Sequence, residues 1–166
     1  MTPTKRPTAE DRVQAIRIAL SGIATGADLG DLRFELYPLH PKNNTFPGEV
    51  FLELASDAID EAGASRARPI EFEGIRERYL PECTAHTKVQ HQHSKYALRA
   101  AAMIRAGVDP GLLDEVVWWQ GDDLWVWALD ALAVYVRAAA DRTGLSTANI
   151  CERLAQRGGV DLNTPN

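Results

Sequence analysis

The stretch from Leu124 to Val136 restricts the fold more than any other part of the chain. It carries a single charged residue, Asp130. Leu124, Trp125, Ala128, Leu129, Leu132, Tyr135 and Val136 recur at helical spacing and cover most of the circumference of a helix running from about 122 to 142. Only Asp123, Asp130, Arg137 and Asp141 form a narrow polar stripe. A helix that is apolar on nearly every side needs cover on nearly every side. This one is too short and too charged to cross a bilayer. The sequence therefore predicts a helical bundle with 122–142, rich in tryptophan, at its centre.

The rest of the chain supplies helices to surround it. Thr8 with Asp11 reads as a capping box, followed by a stripe of Val13, Ile16, Ala19 and Leu20, with Gly22 and Gly26 marking the end. Leu32, Phe34 and Leu36 alternate with charged residues and fit either a short strand or a helical turn. The segment 37–48, with Pro38, Pro41, Pro47 and Gly48, reads as a long loop. Residues 49–62 form an amphipathic helix, with Phe51, Leu54, Ala55, Ala58, Ile59 and Ala62 on one face and Glu49, Glu53, Asp57 and Asp60 on the other. Phe72, Ile75, Tyr79 and Leu80 fit a helical face ended by Pro81, although a short strand over 70–73 fits as well. A long helix is predicted over 86–106, with Val89, His93, Tyr96, Ala100, Met103 and Ile104 inward. A short helix follows Asp109 and Pro110, and Ser146 caps a last one carrying Ile150, Leu154 and Ala155. The expected architecture is an all-α, single-domain bundle of five to seven helices over 8–158, with flexible tails at 1–7 and 159–166. A chain of 166 residues can bury such a core without disulfides or metal.

Net charge is −5 and unevenly spread. Residues 66–105 hold 8 basic and 4 acidic side chains, while the flanking segments are acidic, with 6 basic against 10 and 4 basic against 9. A basic segment between two acidic ones either pairs internally across helices or faces an anion. Cys83 and Cys151 form no metal-binding pair, so a reduced, cytoplasmic chain without cofactor is expected. Arginine outnumbers lysine 14 to 4, which fits a GC-rich bacterial source.

Four groups of residues bear on function. Cys83, His86, His91 and His93 are close in sequence but not at the spacing of a helical zinc site, so no metal is expected. Lys88, Gln92, Lys95 and Arg99 fall on one helical stripe, flanked by His91. Such a stripe can neutralise phosphates, which makes Lys88, His91, Lys95 and Arg99 candidate anion contacts and nucleic acid or a phosphate ligand a candidate partner. The carboxylates Glu49, Glu53, Asp57 and Asp60, and Asp114, Glu115, Asp122 and Asp123, raise a magnesium-dependent phosphohydrolase as a further alternative. Trp118, Trp119, Trp125 and Trp127 crowd into one segment. They cannot all face the core, because neighbours on a helix diverge by about 100°. Residues 143–155 resemble the first helix of a helix-turn-helix, but no recognition helix follows them here. The leading expectation is a non-enzymatic binding protein that associates with itself or a protein partner through 118–127, with no membrane role.

Overall fold

The computed structural model describes residues 8–39, 46–65, 67–71, 73–82, 88–109 and 124–163, and among these the chain forms seven α-helices. They are α1 (Ala9–Thr25), α2 (Leu29–Leu36), α3 (Gly48–Glu61), α4 (Ile75–Tyr79), α5 (Lys88–Arg105), α6 (Leu124–Thr143) and α7 (Thr147–Arg157). A 3-10 turn, Tyr37–Leu39, follows α2, and no strand occurs among the described residues. The fold is the all-α bundle that the helical periodicity predicts. The short helix expected after Asp109 lies outside the described residues, as do Cys83, His86 and residues 40–45 of the 37–48 loop.

Helix α6 is the centre. Every residue from Ala128 to Val136 is buried, Asp130 included. Its most extensive contact is with α3, and α4, α5 and α7 also rest on it. Helix α3 is nearly as enclosed: besides the predicted face, Val50, Leu52 and Ser56 are buried. Two largely apolar helices laid side by side account for the core, since each fully buried Leu or Phe side chain contributes about 1.5–3 kcal/mol of transfer free energy. Tyr135 ties α5 to this pair by donating its hydroxyl to the Leu98 carbonyl at 2.8 Å.

Local signals hold where they are chemical. Thr8 accepts from the Asp11 amide while Asp11 accepts from the Thr8 amide, a complete capping box. Ser146 caps α7 through the Asn149 amide. Gly26 ends α1 in the left-handed conformation, φ 73°, which a residue with a Cβ adopts at a cost.

Several expectations are corrected. Gly22 does not end α1 but lies inside it. A Cβ there would come within 2.1 Å of the Leu32 side chain, so glycine is what lets α2 lie against α1. Of the two alternatives open for residues 32–36, the helical one is found, with Leu29, Leu32 and Leu36 buried at helical spacing and Phe34 left 85% exposed. In α5 the buried residues among those described are Ser94, Ala97, Leu98, Ala100 and Ala101, so Ala100 of the predicted face is inward. Met103 is exposed, and His93 and Tyr96 are only half-buried. Small residues lie inward because α5 approaches both α3 and α6, and bulk would hold it away. The core also continues past 158: Val160 is buried, and its amide donates to the Ala155 carbonyl at 2.8 Å.

The acidic face of α3 meets its counter-charges within the bundle. Arg12 bonds Glu53 at 3.3 Å, Arg105 bonds Asp60 at 2.6 Å, and Arg157 reaches Asp57, Asp60 and Glu61 at 3.6, 2.6 and 3.0 Å. The Arg157 guanidinium holds the Asp60 carboxyl below the usual carboxylate range. Part of the charge asymmetry is thus internal pairing between helices.

Candidate functional site

Helices α4 and α5 both rest on α6 and leave a cleft of about 490 Å³ between them. Its lining includes Glu73, Arg76 and Glu77 from the α4 side and Ser94, Lys95, Leu98 and Arg99 from α5. This volume lies in the range of small-molecule sites.

The α4 wall is built by a short, firmly held helix. Gly74 enters it at φ 72°, and the buried Ile75 and Leu80 anchor it. Arg137 of α6 donates to the Tyr79 carbonyl at 2.6 Å and to Glu82 at 2.7 Å, and the Tyr79 hydroxyl donates to Asp141 at 2.8 Å. These contacts fix the position of Arg76, whose side chain is only 8% exposed. Arg76 donates to Asp130 at 3.2 Å, and its guanidinium stands over the Trp127 ring at 5.8 Å. His93 meets the same ring edge-on, with centroids 6.1 Å apart.

Asp130 also accepts from Arg33 of α2 at 2.7 Å. One carboxylate therefore serves two arginines, and the Nε atoms of both are buried without a hydrogen-bond partner. Burial raises the Asp130 carboxyl above its ordinary range although both arginines pull it down. The cluster is deficient in negative charge.

Lys95 and Arg99 are exposed, one turn apart on α5, and make no ion pair or side-chain hydrogen bond among the described residues. Most described arginines differ: Arg12, Arg78, Arg105, Arg137, Arg153 and Arg157 each hold a carboxylate. Of the predicted anion contacts, the cleft brings together Lys95 and Arg99. Lys88 is exposed at the start of α5 outside it, and the His91 side chain is not among those described. The sequence reading gives Ser94, Glu73 and Glu77 no role. A usable signal was Asp130, a lone acid among buried apolar residues, which requires a cation from elsewhere in the chain.

The tryptophans divide. Trp125 is 5% exposed and belongs to the core, so it offers no surface to a partner. Trp127 is half-buried between Arg76 and His93, while Trp118 and Trp119 lie outside the described residues. Cys151 is buried and its thiol is pushed up to about 12, so it is no nucleophile near neutral pH. No three His, Cys, Asp or Glu residues gather among those described to hold a metal. The α3 carboxylates Glu53, Asp57 and Asp60 face arginines instead. No described helix is long and apolar enough to cross a membrane. No family model, curated protein or solved structure matches the chain.

Proposed function

We propose that the protein acts by binding, and that the α4–α5 cleft receives an anionic, phosphate-bearing ligand. Lys95 and Arg99 make the direct contacts, and the buried Arg76 adds positive charge at the wall. One observation carries this reading: three cations line the cleft, two have no partner among the described residues, and the third shares its only carboxylate with Arg33. A charge-assisted contact to a phosphate oxygen is about twice as strong as a neutral hydrogen bond, and an arginine can make two in parallel. The test is calorimetric titration with inorganic phosphate and pyrophosphate. Binding is expected to weaken as salt rises, and the Lys95→Glu and Arg99→Glu variants are each expected to lose about tenfold or more in affinity. A wild-type protein that binds neither anion at low salt overturns the reading.

Self-association, or docking to another protein, is the second reading. It is favoured by Phe34 and Tyr37, 85% and 68% exposed on α2 and the turn that follows. Light scattering behind a sizing column is expected to show a mass that rises with concentration and falls in a Phe34→Ser/Tyr37→Ser double variant. A monomer at every concentration removes the self-associating form of this reading.

A further inference from the structure

The cleft is not uniformly basic. Glu73 and Glu77 line it opposite Lys95 and Arg99 and, like them, have no ion-pair partner among the described residues. Several carboxylates elsewhere are closed by arginines, Glu61 by Arg153 and Arg157, Glu82 by Arg137 and Asp141 by Arg78, although exposed acids such as Glu35 and Glu152 are not, among the described residues. Here two free carboxylates and two free cations face one small volume without closing on each other. The buried Arg76 beside them has an Nε with no partner and only a half-share in Asp130.

We infer that the ligand of this cleft is a small amphoteric phosphate, in which a phosphate group and a cationic amine lie a few bonds apart. The phosphate goes to Lys95 and Arg99 beside Arg76, and the ammonium goes to Glu77 and Glu73. This deepens the anion-binding reading and rests on it. Charge complementarity is the warrant. An extended polyanion would meet the two carboxylates as repulsion, whereas a ligand with a positive end turns the same carboxylates into hydrogen-bond acceptors. The cleft volume suits a compact molecule, and Lys88, which a strand following the basic stripe would also meet, lies outside it. A soluble phospho-amine and a lipid headgroup of the same chemistry both fit this description.

Calorimetric titration distinguishes these outcomes, with inorganic phosphate, ethyl phosphate, O-phosphoethanolamine and a short single-stranded DNA as probes. Vesicles containing phosphatidylethanolamine are tested beside vesicles of phosphatidylcholine alone. O-phosphoethanolamine is expected to bind about tenfold more tightly than ethyl phosphate, the effect of one added charge-assisted contact. In a Glu73→Gln/Glu77→Gln variant that preference disappears while inorganic phosphate binds more tightly, because a repulsive charge is gone. Retained phosphate binding shows that the variant is folded. Vesicle binding specific to phosphatidylethanolamine supports the same chemistry and assigns it to a lipid, whereas binding of the free compound alone assigns it to a soluble ligand. Equal affinity for ethyl phosphate and O-phosphoethanolamine, or tighter binding of the DNA than of either, overturns the amphoteric ligand and leaves the anion site standing. Failure of every phosphate compound overturns both.

Discussion

Asp130→Ala is expected to lower the free energy of unfolding by about 3 kcal/mol or more, measured by urea denaturation. The substitution leaves two arginines without their carboxylate. Arg76 bears the larger loss, because its side chain is 8% exposed and water cannot replace the missing partner. Arg33, at 32%, recovers part of its loss by hydration. The effect is a penalty for unpaired burial and does not measure the net worth of the ion pair. The raised Asp130 carboxyl shows that desolvation outweighs the two arginines at that group. It follows that Asp130→Leu combined with Arg76→Met is expected to be more stable than Asp130→Leu alone, since removing both charges removes the penalty. A loss below about 1 kcal/mol for Asp130→Ala, or a double variant no better than the single one, contradicts this account of the cluster.

Phe51→Ala is expected to cost about 3–5 kcal/mol, while Phe34→Ala is expected to change stability by no more than about 0.5 kcal/mol. Phe51 is fully buried on α3, the helix with the most extensive contact to α6. Truncating it removes its transfer free energy and leaves a cavity in a wall that can relax little, because α5 and α7 hold α3 from other sides. Phe34 has the same side chain and is 85% exposed. Denaturation of the two variants at a concentration low enough to avoid association gives the comparison directly. Similar losses at both positions would contradict the burial assigned to α2.

Gly22 and the α5 face show why some inward residues could not be read from the chain. Glycine after a run of apolar residues commonly ends a helix, and nothing local distinguishes that use from the one found here, where a neighbouring helix must come close. The distinction lies in Leu32, ten residues further along the chain and placed by the turn between α1 and α2. In α5 the stripe of larger residues, with Tyr96 and Met103, looks like the better core face. The small face with Ala97 and Ala101 is buried instead, because α3 and α6 both approach this helix. Residue size along one helix does not say how near its neighbours stand.

The candidate site was legible only in part, for the same reason. Lys95 and Arg99 could be placed on one stripe because helical spacing is a local property. That Arg76, Glu73 and Glu77 face them across a cleft depends on α4 and α5 both resting on α6, which no periodicity encodes. Asp130 advertised a need for a cation, but the choice of Arg33 and Arg76 among fourteen arginines is a matter of tertiary placement.

The helical class, the burial of the apolar run through 128–136, and the caps at Thr8, Gly26 and Ser146 were legible in the chain. Each of these follows from interactions within a few residues or from an apolar periodicity that water enforces on any chain carrying it. The tertiary structure alone decided which charges pair and which remain free. It set the acids of α3 against Arg12, Arg105 and Arg157, set Asp130 against two arginines, and left Lys95, Arg99, Glu73 and Glu77 around one cleft. Electrostatic pairing acts across distances of a few ångströms in space between residues far apart in sequence, so it is fixed only when the helices have docked.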